Sequence, residues 1–332
     1  MRSPSARGTI AAIITVVLGA GAIATGADAG GSGHPHKPDK TVDIQVLGLN
    51  DFHGALEPIP STSSGGRIGA TPAGGAEYLA THVDALRATN PKNTIFVSAG
   101  DLIGATPLVS ALFHDEPTIE AFNEMGLDYN GVGNHEFDEG VDELLRMQRG
   151  GCHPVDGCQD GDRFRGADFD FLAANVTYRS NGKPIFPPYK IHTFTGGVKA
   201  AIIGMTLEQT PEIVTPAGIS TVDFLDEAET VNRLVPYLQR KGIETFIVLL
   251  HQGGSVSDPL NESTINSCSN PTGALPPIVE QMDDAIDVVV TGHTNWAVNC
   301  VIDGKIVTGA AVNGRLITDI DLTVSKRTDD VV

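Results

Sequence analysis

The residues best placed to do chemistry are gathered in Val132-Gly133-Asn134-His135-Glu136-Phe137-Asp138. Asn134 can offer an amide oxygen to a metal ion. His135 can give or take a proton, and Asp138, three residues on, is close enough to orient that imidazole. A hard ligand beside a carboxylate-steered His is what hydrolysis of a phosphate ester at a metal centre requires. One Asn-His pair alone reads as a polar turn. The chain repeats the arrangement four more times, each time after an apolar run: Asp51 with His53, Asp101, His251, and His293 with Asn295. Apart from His135 and Asp138, the set holds three His, two Asp and two Asn, with no thiolate. Such mixed nitrogen and oxygen ligation suits Zn²⁺, Mn²⁺, Fe or Co²⁺ better than an oxygen-bound Ca²⁺. Seven donors are too many for one tetrahedral ion and fit two ions that share a carboxylate. Two divalent ions about 3.5–4 Å apart can clamp a phosphoryl group.

The elements that must position these residues are strands. Residues 42–49 alternate and are β-prone, and they end just before Asp51 and His53. Those two lie two apart, so in extended chain they point to one side. Residues 94–98 lead to Gly100 and Asp101, the Gly permitting an unusual backbone. Residues 127–132 deliver Asn134 and His135, 245–250 deliver His251, and 286–290 deliver His293 and Asn295. Helices are predicted over 77–89, around 107–113 and 117–125, over 139–149, around Ala228 to Leu238, and near 275–282. In the first of these, Tyr78, Leu79, His82, Val83 and Leu86 share a face, which makes His82 a packed histidine rather than a ligand. A β-hairpin is expected from 189–194 and 198–205, and short strands at 298–302, 305–308 and 316–324 close the chain. Residues 61–75 read as loop, and 169–174 as a buried strand. The class is α/β, in which ligands gather at the carboxyl ends of strands.

The chain has 332 residues, 41% of them hydrophobic, enough for a substantial core. Aromatics are only 5%, with one Trp, so a stacking platform for single-stranded nucleic acid is not expected. A formal charge of −19 argues against a phosphate-backbone-binding surface. No nucleic-acid polymer is therefore expected as partner; an anionic substrate would need local positive charge, which metal ions could supply. Arg2 and Arg7, the apolar residues 10–24 and Ala27-Asp28-Ala29 form the pattern of a secretory signal peptide. Residues 1–29 are read as that signal and 30–41 as a flexible leader, with His34 and His36 in the leader as tail rather than ligands. No other run is long and apolar enough to span a bilayer, so a secreted, extracellular protein is expected. Four cysteines allow three pairings. The local pairs Cys152–Cys158 and Cys268–Cys300 are expected, as structural staples. Asp156, Asp160 and Asp162 lie in the first stapled loop, but their spacing does not match a calcium loop, and a solvated loop is expected.

As a set, these motifs resemble the calcineurin-type metallophosphoesterases, and within them the catalytic domain of the secreted 5′-nucleotidase family. The resemblance runs over residues 42–324. It implies a four-layer α-β-β-α metallophosphatase sandwich over residues 42–325 and two divalent metal ions. Asp51, His53, Asp101 and Asn295 would hold the first ion. Asp101, Asn134, His251 and His293 would hold the second, with Asp101 bridging. His135 and Asp138 match the catalytic pair, in which the His stabilises the transition state or leaving group and the Asp orients it. At the Asn295 position the family often carries Gln or His; Asn keeps the amide oxygen on a shorter side chain. The family usually adds a C-terminal domain bearing nucleobase-stacking aromatics, and a chain ending at Val332 is expected to lack it or carry it truncated.

Three readings of function follow. The first is a secreted hydrolase of nucleotide phosphate monoesters. The second is the same di-metal chemistry on a cyclic nucleotide, a nucleotide sugar or another phosphodiester. The third is a non-catalytic, disulfide-stapled metal-binding module, against which the presence of both His135 and Asp138 speaks, since a structural ion needs neither.

Overall fold

The computed structural model describes residues 39–332. The signal segment 1–29 and the leader up to residue 38, with His34 and His36, lie outside the described residues.

Eleven strands build two sheets, one of five and one of six strands. They are β1 (Thr41–Leu49), β2 (Thr94–Ser98), β3 (Tyr129–Gly131), β4 (Asp170–Leu172), β5 (Tyr189–Thr193), β6 (Lys199–Met205), β7 (Thr245–Leu250), β8 (Val288–Thr291), β9 (Ala297–Ile302), β10 (Lys305–Ala310) and β11 (Thr318–Ser325). The first sheet has the order β11-β1-β2-β3-β4, and the second β9-β10-β8-β7-β6-β5. In the first, β1 to β4 are parallel and β11 runs antiparallel along β1. In the second, β6, β7, β8 and β10 are parallel, with antiparallel partners β5 and β9 at the edges.

The period of two in the strands sets the layers. Val42, Ile44 and Val46 of β1, with Ile95 and Val97 of β2, face one apolar layer; Ala200 and Ile202 of β6 and Ile247 and Leu249 of β7 enter it from the other sheet. Their odd-numbered or even-numbered neighbours point away. Leu47, Leu49 and Phe96 meet the helices α1 (Ala76–Arg87) and α2 (Glu116–Met125) through Leu79, Val83, Ile119 and Phe122, and α3 (Val141–Arg149) through Leu144. Phe246, Val248 and Leu250 meet α4 (Glu227–Gln239) and α5 (Leu275–Gln281) through Val231, Val235 and Val279. Three separate apolar layers between two sheets and two sets of helices make the expected four-layer sandwich.

Several expectations about elements change. Residues 107–113 yield only one helical turn, Leu108–Ala111, before the backbone turns left-handed at His114 and Asp115. The loop 61–75 contains a small hairpin, Arg67–Ile68 with Thr71–Pro72. Val176–Tyr178 and Val222–Phe224 form a further two-stranded ribbon. Asp39 and Lys40, assigned to the leader, are tied to the chain after β11: the Ser325 hydroxyl donates to the Asp39 carboxylate at 2.7 Å and the Lys326 amide to the Lys40 carbonyl at 2.8 Å. His82 is exposed rather than packed, and Tyr78 beside it is 57% exposed. Helix α1 buries only Leu79 and Val83 fully, because a groove of about 850 Å³ lined by Tyr78, His82 and Ile317 keeps that side open. Cys152–Cys158 and Cys268–Cys300 are both closed as disulfides.

Candidate metal centre and its catalytic pair

The five predicted stretches meet at the carboxyl ends of the parallel strands of both sheets. From the first sheet come Asp51 and His53 after β1, Asp101 after β2, and Asn134 and His135 after β3. From the second come His251 after β7 and His293 after β8. Phe52, between Asp51 and His53, turns the other way and is fully buried, edge-on to Phe122 at 4.9 Å. That anchor fixes the loop from below while its two neighbours reach the site.

The backbone here is strained. Asp51, His53, Asp101 and His293 all have left-handed φ, of 49°, 49°, 54° and 70°. For residues with a side chain this costs on the order of 1–2 kcal/mol each, a pattern that concentrates at functional sites. Two glycines let these turns come close. A Cβ at Gly100 would lie 2.7 Å from the His251 Nδ1. One at Gly133 would strike the Asp101 carboxylate.

The donors converge. The His251 Nδ1–H donates to the Ala99 carbonyl at 2.7 Å, which fixes the tautomer and leaves Nε2 as a lone pair. That Nε2 lies 3.1 Å from Asp101 Oδ2 and 3.0 Å from Asn134 Oδ1. With neutral His251, three acceptors face one another, an arrangement that requires a cation or a proton among them. His293 Nδ1 lies 2.9 Å from the same Asn134 oxygen. The His53 Nδ1–H donates to the Gly104 carbonyl at 2.9 Å, and its Nε2 stands 3.8 Å from a carboxylate oxygen of both Asp51 and Asp101. Asp101 thus touches His residues from both halves of the set. The six donors Asp51, His53, Asp101, Asn134, His251 and His293 fit divalent ions of the nitrogen- and oxygen-binding kind. Asn295 is not joined to them by any hydrogen bond among the described residues; it is exposed, beside Trp296 and Arg315.

The electrostatics agree with a cation-binding role. Burial, then the Asp101 charge, pushes Asp51 up to about 6 against the pull of His251 and His53. Burial also acts to raise Asp101, but His251 and His53 outweigh it and hold the carboxyl well below its usual range. Burial opposes charge on His251, yet Asp101 and Asp51 raise it to about 10. Burial and the nearby His251 lower His293 to about 4. A divalent ion would take the place of the proton that Asp101 otherwise holds on His251.

His135 sits at the rim with a side chain 34% exposed. Its Nδ1–H donates to Asp138 Oδ2 at 2.7 Å, leaving Nε2 free. Its backbone N–H donates to Asp101 Oδ1 at 2.9 Å, and its ring meets His53 edge-on at 5.1 Å. The hydrogen bond to Asp138 raises the His135 pKa, with burial opposing and Asp101 adding to the rise. A pocket of about 220 Å³ opens beside it, lined by His135, Asp138, Thr106 and His114.

Two supporting residues had no role in the sequence reading. Glu136 is buried, and its carboxylate accepts from the backbone N–H groups of Asp101 at 2.9 Å, Leu102 at 3.0 Å and Gly133 at 2.7 Å. Burial and then Asp101 push it up to about 7, against those donors. Asn50 is buried and donates to Asp51 Oδ2 at 2.7 Å, while accepting from the Ala310 amide at 2.6 Å. The only signal for either was an acid or amide inside a motif, next to a residue already assigned.

The family description "Calcineurin-like phosphoesterase" matches residues 44–296. The chain is 34% identical over 297 residues to Endonuclease YhcR of Bacillus subtilis, covering 89% of this chain and 23% of that protein. It is 33% identical to Cell wall protein Lmo0130 of Listeria monocytogenes, over 88% of this chain and 38% of that protein. It is 29% identical to a 5′-nucleotidase of Vibrio cholerae, over 65% of this chain and 34% of that protein. The chain therefore spans well under half the length of these relatives. Among solved structures, the calcineurin-like phosphoesterase YfkN of Bacillus subtilis matches with a TM-score of 0.67 at 23% identity, over 88% of each chain, a likeness of fold.

Proposed function

The chain belongs to the calcineurin-like phosphoesterase family, and from that premise we propose that it is a metal-dependent hydrolase acting on phosphate monoesters of nucleotides. The observation that carries the reading is the meeting of His251 Nε2, Asp101 and Asn134 as facing acceptors, beside a His135 already oriented by Asp138. Asp51, His53 and Asp101, with Asn295 turned inward, would hold one ion. Asp101, Asn134, His251 and His293 would hold the second. When bound, the ions supply positive charge and Lewis acidity to the phosphoryl group and its attacking water.

The remaining chemistry falls to this chain's own side chains. Asp138 accepts the Nδ1 proton of His135 and so fixes which nitrogen is available. His135 Nε2 is then the donor for the leaving oxygen, whose charge grows in the transition state. The raised pKa of His135 keeps it protonated further toward neutral pH, the form that can donate. The His135 amide, bonded to Asp101, ties this donor to the carboxylate that would bridge the ions.

The 5′-nucleotidase among the relatives supports a nucleotide substrate. A relative with higher identity than that one is named an endonuclease, and that favours a second reading, a diester substrate at the same site. The test is phosphate release from a panel of mononucleotides beside hydrolysis of bis(p-nitrophenyl) phosphate and cyclic nucleotides. Turnover of monoesters at least tenfold above diesters supports the first reading; the reverse order replaces it with the second. Export is also part of the proposal. It is supported by a relative named a cell wall protein and by two closed disulfides; among the described residues no helix is long and apolar enough to cross a membrane.

A further inference from the structure

Outside the centre just described, a second group of metal-type side chains gathers where the stapled loop folds against the helices. The turn after Leu108–Ala111 presents His114, the Cys152–Cys158 loop presents His153 and Asp156, and α3 presents Glu143. His114 Nε2 lies 2.9 Å from Asp156 Oδ2, and His153 Nδ1 lies 3.4 Å from the same oxygen. The two imidazoles stack at 3.7 Å with 13° between their planes. One donor atom from each of His114, Glu143 and His153 lies within 4.8 Å of the others. Donors around a tetrahedral zinc ion, each about 2.0–2.1 Å from it, stand roughly 3.3 Å apart. The Asp156 contacts are near that spacing, whereas the stacked rings would have to turn apart for both lone pairs to meet one ion. His153 Nδ1 would give up the Asp156 amide, and Glu143 would share its carboxylate with Arg146.

Burial and charge point the same way. The His114 and His153 side chains are only 19% and 15% exposed and Glu143 is 11% exposed, while Asp156, at 45%, lies on the solvent side. Arg146 pairs with both Glu143 and Glu116. With Asp156 added and both imidazoles neutral, three carboxylates and one guanidinium leave two formal negative charges, which a divalent cation would neutralise. His114 also has a left-handed φ of 51°, a conformation that costs a residue with a side chain free energy.

We propose that His114, His153, Asp156 and Glu143 form a third divalent-metal site, of the zinc-binding class, that fastens the stapled loop to α3 and to the turn before α2. Two imidazoles and two carboxylates are a zinc donor set. The site is separate from the Asp51–Asp101 centre, and it stands at the edge of the pocket that His135 and Asp138 also line. An ion here would hold the loop against the pocket wall and does not enter the reaction. Arg146 supports it by donating to the Gly151 carbonyl at 2.8 Å, where the loop begins.

The test uses the full chain, stripped with chelator, reloaded with Zn²⁺ and desalted, with bound zinc counted per chain by elemental analysis. The double variant His114→Ala/His153→Ala is expected to hold one equivalent less than wild type. Asp101→Asn, which disturbs the other centre, is expected to keep that equivalent. A second readout is trypsin cleavage after Arg163 and Arg165. Zinc should slow it at least tenfold in wild type and in Asp101→Asn, and not in the double variant. If the double variant does not fold, His153→Gln, which changes only the loop's ligand, replaces it. Equal zinc content in wild type and the histidine variant, with the same cleavage rate with and without zinc, would overturn the proposal. Loss of zinc from Asp101→Asn alone would bear on the catalytic centre and leave this one standing.

Discussion

At the scale of single residues, groups that hold charge are, in the proposed reading, separate from groups that move a proton. Asp101 faces His251 at 3.1 Å and His53 at 3.8 Å, which in the proposed reading makes it the carboxylate shared by two ions. Asp101→Asn is expected to lower metal content at both positions, whereas Asn295→Ala should affect one at most; elemental analysis of the two variants side by side checks this. Equal, small losses from both would remove Asp101 from the bridging role. His135 makes no hydrogen bond to the set through its ring nitrogens, although one of them lies within 4.8 Å of the His53 and Asp101 donors, and its Nδ1 is committed to Asp138. His135→Ala should keep the metals and the fold and lose turnover by about 10²–10⁴-fold, the range for a positioned acid or base. Asp138→Asn should lose less, since it removes orientation and charge support only. If His135 were merely structural, its removal would lower the melting temperature and spare the turnover of the folded fraction.

At the scale of elements, the positions of the donors follow from strands whose ends were readable in the sequence. Residues 94–98 and 245–250 are the strands observed, because each is an unbroken β-prone apolar run closed by Gly or His. The convergence of Asp51, His53, Asp101, Asn134, His251 and His293 was legible for the same reason: each follows such a run. What was not legible depends on tertiary contacts. His82 has the helical spacing of a core residue, but the open groove beside it is a property of the packed chain. Glu136 accepts from the Asp101 and Leu102 amides and Asn50 from the Ala310 amide, all brought near by other strands, which no spacing within their own motif reveals. The support is testable through Glu136. Glu136→Ala leaves three buried N–H groups without their acceptor, and at about 1–3 kcal/mol for each the loss of stability should exceed 3 kcal/mol in denaturant unfolding. A loss under about 1 kcal/mol would mean that water or the loops re-satisfy them. Phe52→Ala should cost about 3–5 kcal/mol and weaken metal binding too, because Phe52 anchors the loop carrying Asp51 and His53.

At the scale of the whole molecule, two sheets each contribute donors, so the centre exists only when both halves of the sandwich are assembled. Stability away from the centre carries its own pH signature. Asp287, between α5 and β8, accepts from the Phe246 amide at 2.8 Å, and burial pushes its carboxyl up to about 7. The folded state therefore holds this proton over a range where the unfolded chain, near 3.8, has lost it. Its contribution to stability is fully present below about 4 and falls as pH rises through about 7. Asp287→Asn should raise the melting temperature relative to wild type above pH 7, with the gap closing toward pH 4; an unchanged gap across that range would contradict the assignment. The central claim is that the strand-end donors bind divalent ions and thereby make the chain a phosphoesterase. The direct measurement is release of inorganic phosphate from adenosine 5′-monophosphate by chelator-stripped protein as Mn²⁺ is added back. Bound metal is counted in the same samples, less the equivalent that wild type holds in excess of His114→Ala/His153→Ala. Turnover should be absent in the stripped protein and should rise with occupancy to a plateau near two corrected equivalents, with Asp101→Asn inactive throughout. Turnover that is the same before and after stripping, or a fully loaded protein that hydrolyses neither this nor any other phosphate ester offered, would contradict the account.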